Sequence, residues 1–196
     1  MLTCFQFQDM NVLQHGQSVH EWFKDLYSHL MRGTPLTREW RLPEWIYHPL
    51  IKERLIDFDI LETYQIYHDC GKPLCRTVDE QGRQHFPNHA EISRQRWLEC
   101  SDGSPAAQQI ARLIAMDMDI HLLKSDGIEE FAKRPEAISL LLTGLCELHS
   151  NAVMFGGIES TGFKIKWKQT NKSGKRILEC LERLHCSAPE TNQVAS

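Results

Sequence analysis

Between Asn11 and Met31, the apolar residues Val12, Val19, Trp22, Phe23, Leu26 and Leu30 recur at helical spacing. That periodicity constrains the fold most, because it returns along the chain while strand-like alternation is almost missing. Gly33 and Pro35 end the first segment. Further helices are expected from Pro43 and Glu44 to about Asp57, and from about Asp59 into His68, where Gly71 and Pro73 stop the run. Residues 72–87 are rich in turn formers. Asn88 is placed to cap a helix ending near Cys100. Ser104 and Pro105 open another that runs to about Leu123. Pro135 opens one through Leu148, and the last spans about Ser173 to His185. From Phe155 to Lys168 a Gly-Gly turn precedes Phe163, Ile165 and Trp167, which alternate with Lys164, Lys166 and Lys168. This period of two predicts one short strand or hairpin edge. The expected fold class is therefore all-α, one domain over residues 1–186, with a small extended segment near the C-terminus. The polar stretch 187–196 is expected to be a disordered tail.

Composition narrows the function classes. The 196 residues are 41% hydrophobic and 24% charged, ordinary for a globular domain, and the formal net charge is -4. Bulk attraction to long duplex DNA or an anionic membrane is not expected, so phosphate binding must rest on local patches. No apolar run is long enough for a membrane span, and no signal peptide is visible. Seven cysteines without a CxxC pair suit a reducing cytoplasm better than a disulfide framework.

Chemistry is expected where polar side chains interrupt apolar stripes. His15 falls on the stripe of Val12, Val19, Trp22 and Leu26. Asp117 falls on that of Ile110, Leu113 and Ile114, with His121 one turn further on. A carboxylate on a core-facing stripe is costly unless paired, protonated or metal-bound. Asp119, two residues on, falls on a solvated face and is the alternative ligand if the helix boundary lies a residue or two away. His68 and Asp69 stand at a helix end, followed by Lys72 in a tight turn. His15, His68, Asp69 and Asp117 form a mixed nitrogen and oxygen set suited to a divalent transition ion.

The order His15, His68-Asp69, Asp117 resembles the signature of HD-domain metal-dependent phosphohydrolases. Residues 68–93, HDCGKPLCRTVDEQGRQHFPNHAEIS, are similar to the HD region of bacterial CCA-adding tRNA nucleotidyltransferases, in which HD-x-GKP is followed by a phenylalanine and a histidine, here Phe86 and His89. The chain is too short to hold a nucleotidyltransferase domain as well, so CCA addition is not expected. The resemblance covers about residues 12–123. It implies an HD-type helical domain holding one or two divalent ions (Mn, Fe, Co, Ni, Zn or Mg), with His15, His68, Asp69 and Asp117 as ligands. It further implies that metal-bound hydroxide attacks a phosphoester of a nucleotide or of an RNA end, including a 2′,3′-cyclic phosphate. Asp69, Lys72 and His89 are the expected catalytic residues, with Lys72 on the phosphoryl oxygens. The alternative is a degenerate HD module that binds nucleotide or RNA and regulates a partner.

Each signal has a plainer account. His15 could be a satisfied core histidine, and His68-Asp69 with Lys72 a capped helix end. His89 is equally a second-metal or phosphate contact and a surface histidine. His121 fits core packing slightly better than orienting Asp117. His85, Arg76 and Arg83 suit an exposed loop, and Trp40 and Trp45 suit the core better than base stacking. Cys70 has no base to make it a nucleophile. The lysines of 163–168 are read as protecting an edge strand in preference to holding phosphates.

Overall fold

The computed structural model describes residues 1–7 and 10–186; the tail expected at 187–196 lies outside the described residues. The first elements are two short antiparallel strands, β1 (Phe5–Phe7) and β2 (Met10–Asn11). Asn11 then starts α1 (Val12–Arg32). Its side chain accepts a hydrogen bond from the Gln14 N–H at 2.9 Å, and the Gln14 side chain accepts one from the Asn11 N–H at 3.0 Å. This reciprocal cap satisfies two end donors and fixes the start of the helix that carries His15. Gly33, left-handed at φ 69°, closes the other end.

A 3-10 turn (Glu44–Tyr47) and α2 (Pro49–Glu53) lead to α3 (Phe58–Tyr67), which ends at His68. A single turn, α4 (Lys72–Cys75), precedes a hairpin of β3 (Thr77–Val78) and β4 (Gln84–His85). There follow α5 (His89–Cys100), α6 (Pro105–Ala115), the short α7 (Asp119–Leu122) and α8 (Ile128–Ala132), α9 (Ala137–Ser150), a 3-10 turn (Ala152–Phe155) and α10 (Thr161–Cys186). The fold is all-α. Helix α9 runs through the middle, packed on α1 and α10, while α3 packs between α1 and α6. Leu140, Leu141 and Leu145 of α9 meet Phe23 and Leu26 of α1 and Ile177 of α10 in one core. No helix among the described residues is long and apolar enough to cross a membrane. All seven cysteines are free thiols.

Three expectations are corrected. The segment 155–168 is not extended: a 3-10 turn and the start of α10 occupy it. Helical spacing sends Phe163 and Trp167 inward, one turn apart, and leaves Ile165 53% exposed. The apparent alternation came from three apolar residues of which only two are packed. The three lysines consequently do not share a face. The extended backbone lies instead in the two small hairpins at residues 5–11 and 77–85. Finally, Asn88 stands where a cap was expected, but its side chain makes no capping bond; its backbone is left-handed at φ 55°.

Trp40 and Trp45 belong to the core, as expected. Trp22, Trp40 and Phe163 surround the buried His149. The His149 Nδ1–H donates to the Leu145 carbonyl at 2.8 Å, and its Nε2 accepts from the Arg41 N–H at 3.1 Å. Burial outweighs the bond to Leu145 and lowers its pKa from 6.5 to about 4. The unfolded chain therefore binds a proton that the folded one refuses in this window. Stability is full above pH 6.5 and falls as the pH drops toward 4. Between pH 7 and pH 5 the His149 contribution to this loss is expected to be about 2 kcal/mol, read as the difference in the pH dependence of urea midpoints between the parent protein and His149→Gln.

Candidate metal centre and cleft

Four elements converge on one point. α1 brings His15, the end of α3 brings His68 and Asp69, the turn after α6 brings Asp117, and α9 brings Glu147. His15, His68, Asp69 and Asp117 are all buried. His15, His68 and Glu147 offer ligand atoms that lie within 4.8 Å of one another, a group able to hold a metal ion. The Asp69 Oδ2 adjoins them, 3.9 Å from the His15 Nε2 and 3.2 Å from the His68 Nε2. Asp117 borders the same cleft, its Oδ1 accepting a hydrogen bond from the Tyr64 hydroxyl at 2.6 Å.

Two backbone approaches make this convergence possible. Gly16, next to His15, lies so close to α3 that an added Cβ would sit 2.2 Å from the Ile66 carbonyl oxygen. Gly71, just after Asp69, is equally tight against α5, with Ser93 N 2.4 Å from a would-be Cβ. The Gly71 N–H donates to the Ser93 Oγ at 2.9 Å. Only a residue without a side chain allows either contact.

The His68 Nδ1–H donates to the Gln65 carbonyl at 2.7 Å, which leaves the Nε2 lone pair turned inward. Within the described residues, the buried atoms His15 Nε2, His68 Nε2 and Asp69 Oδ1 have no hydrogen-bond partner. Buried polar atoms without partners are rare and expensive. Two of them, the Nε2 atoms of His15 and His68, meet Glu147 in the group able to hold a metal ion, and all three sit on metal-donor side chains, which fits a bound cation. Electrostatics agrees. Burial opposes charge on His68, yet Asp69 and Asp117 outweigh it and raise its pKa to about 10. A field that favours a proton on this ring also favours a cation at its Nε2. Burial likewise opposes ionisation of Asp69, but His68 and Lys72 hold its carboxyl well below the usual range. Asp117 is raised by burial, with His68 countering and Glu147 adding.

The flanking groups are ordered. The Lys72 Nζ lies 2.5 Å from the Asp69 Oδ2, and the Gln6 Nε2 donates to the same oxygen at 2.7 Å. The His89 Nδ1–H donates to the Phe86 carbonyl at 3.0 Å, which turns its Nε2 toward the Asp69 Oδ1, 3.6 Å away. His121 neither packs in the core nor bonds Asp117: its Nε2 lies 2.7 Å from the Glu147 Oε2. Asp119 pairs with Arg134, and His85 and Arg83 pair with Asp79 at the hairpin. Arg76 bonds Gln84. The Cys70 Sγ donates to the Ser93 carbonyl at 3.3 Å, and burial raises its pKa to about 11.

Comparison with protein-family models, curated proteins and solved structures finds no match for this chain.

The centre opens into a cleft of about 730 Å³. Asp69, Lys72, His89, Asp117 and Glu147 line one end. Sequence reasoning missed Glu147, Tyr64 and Gln6. Glu147 left a readable trace: it is the only charged residue of α9, an otherwise apolar and polar-neutral helix apart from His149.

Proposed function

We propose that the chain is a divalent-metal-dependent phosphohydrolase acting on a nucleotide or nucleotide-like phosphoester. One observation carries the reading: the buried Nε2 atoms of His15 and His68, neither with a hydrogen-bond partner among the described residues, meet Glu147 in a group able to hold a metal ion, with the Asp69 carboxylate beside them and Asp69 and Glu147 lining an open cleft. A folded chain leaves such atoms unsatisfied at a cost of ~1–3 kcal/mol each, which a ligand can offset. His15, His68, Asp69 and Asp117 are the proposed ligands, joined by Glu147. An ion held there supplies Lewis acidity, polarising a phosphoryl oxygen and acidifying water.

The protein's own groups do the rest. Lys72, 13% exposed at its side chain, presents its ammonium at the cleft, where it can pass from the Asp69 carboxylate to a phosphoryl oxygen as charge develops. His89 is held by its bond to the Phe86 carbonyl, so that its Nε2 faces the same oxygens. Tyr64 fixes the Asp117 carboxylate, and His121 fixes that of Glu147.

A regulatory, non-catalytic module is supported by one feature: Lys72 already places a cation on Asp69. Metal analysis separates the two readings. Protein purified without chelator is expected to carry about one equivalent of transition metal per chain. It should then hydrolyse at least one member of a panel of mononucleotides, nucleoside triphosphates, cyclic nucleotides and RNA with a 2′,3′-cyclic end. Metal-free protein, inactive on the whole panel with Mn, Co, Ni or Mg added, would establish the regulatory module instead.

A further inference from the structure

Away from the metal donors, the cleft changes sign. Its acidic lining residues, Asp69, Asp117 and Glu147, all belong to the metal end. Another part of the lining is α10, which presents Lys166, Lys172 and Arg176, and Lys124 joins them from the loop before α8. Gln169, Thr170 and Ser173 lie between these cations on the same helix face. Lys124, Lys166 and Lys172 are exposed and have no ion-pair partner among the described residues. Of the other α10 lysines, Lys164 pairs with Glu159 and Lys175 with Glu179, while Lys168 is exposed without an ion pair among the described residues but does not line the cleft. The Arg176 Nη2 donates to the Ser125 carbonyl at 3.1 Å, which holds its guanidinium at the cleft rim. At ~1.5 Å per residue, Lys166 and Arg176 are ~15 Å apart along the helix axis.

Cations without ion-pair partners in a row on a cleft wall, with the Gln169 amide and the Ser173 hydroxyl between them and the Thr170 hydroxyl turned back onto the Lys166 carbonyl, are suited to a chain of phosphate oxygens. The opening is of small-ligand size, within the ~300–1,000 Å³ usual for such sites. Phe155 is its one aromatic lining residue other than histidines. Proteins that track single-stranded nucleic acid stack successive bases on several aromatic rings, and this wall offers no such series.

We propose that Lys166, Lys172 and Arg176 of α10, with Lys124 beside them, bind the non-scissile phosphates of a polyphosphorylated small molecule whose scissile phosphorus lies at the metal end. The substrate class is thus a phosphoester bearing at least one further phosphate, such as a nucleoside di- or triphosphate, in preference to a monophosphate or an RNA strand. The inference rests on the phosphohydrolase reading for the word substrate, but the wall can be probed without turnover.

The test is calorimetric titration with inorganic tripolyphosphate and with orthophosphate. It uses the full chain as purified, and again after dialysis against EDTA and then buffer. Tripolyphosphate is expected to bind at least ~10-fold more tightly than orthophosphate in both preparations, with an affinity that falls as salt is raised. Lys166→Ala/Lys172→Ala should remove the preference. Lys168→Ala/Lys175→Ala removes the same charge from side chains that do not line the cleft, and should keep it. All four side chains are exposed, so unchanged circular dichroism is expected. Equal affinities for the two anions would overturn the proposal, as would equal losses in the two double variants. So would an eight-nucleotide RNA that displaces tripolyphosphate with ~10-fold greater affinity, because the wall would then be a nucleic-acid surface. A preference that survives in a protein found to lack metal and activity would uphold the anion wall and sink only the hydrolase. A lost preference in an active metalloprotein would sink only the wall.

Discussion

Asp69→Asn is expected to lower kcat/KM for phosphoester hydrolysis by at least ~10³-fold, because it removes the anionic charge that faces both imidazoles and the Lys72 ammonium. Asp69 is the hub of the centre. His15, His68, Lys72, His89 and Gln6 all approach its two oxygens. Asparagine keeps the shape, so the fold should persist, but an amide is a poor partner for a cation. Removing one member of a buried charge set usually destabilises by ~3–5 kcal/mol, since the other charge is stranded. Here the stranded charge is that of Lys72, whose ammonium reaches the open cleft and can be solvated there. Metal content should fall with activity. Activity within tenfold of the parent protein, with metal retained, would remove Asp69 from the chemistry.

The second large effect is expected from a residue with no functional group. Gly16→Ala should cost ~10²-fold in activity and ~1–3 kcal/mol of stability. The added carbon would lie 2.2 Å from the Ile66 oxygen and 2.9 Å from that of Gln65. Both are backbone atoms, so no side chain can swing aside, and α1 must back away from α3 by about 1 Å. His15 is the next residue on α1, and His68 follows Ile66 by two. The distance between the two imidazoles is thus set by the very contact the mutation breaks. For a chain of this size each kcal/mol lowers Tm by roughly 2–4 °C, so differential scanning calorimetry reads the cost directly. Gly127→Ala is the matched control: its added carbon would meet only the Leu123 side chain and the Lys124 carbonyl, at 3.5 and 3.7 Å. A Gly16→Ala protein with unchanged metal affinity would mean that the helix crossing does not set the imidazole spacing.

Polar residues on amphipathic helices were open to inference from the amino-acid order alone. His15 and Asp117 stand out because they lie on apolar helical stripes, and both are buried. Glu147 escaped the same logic. Almost every residue of α9 is buried, so the helix has no polar face against which a misplaced carboxylate contrasts. Tyr64 escaped because a tyrosine on an apolar stripe needs no explanation until its hydroxyl is seen on Asp117. The error at 155–168 has another cause. Three apolar residues spaced by two fit a strand, and the helix that formed buries two of them and exposes the third. Periodicity over so few residues does not separate the two states. Small hairpins such as 77–85 lack any apolar alternation, and their strands are exposed.

The fastening of Gly71 to Ser93 has an evolutionary corollary. It ties the two ends of residues 68–93 together at the root, while the tip around Glu80 to Gly82 projects freely into solvent. A loop clamped at its root can gain or lose residues at its crest without transmitting the change inward. Length variation among descendants of this protein should therefore accumulate at that crest, which is also the natural place to insert a fluorophore or an epitope.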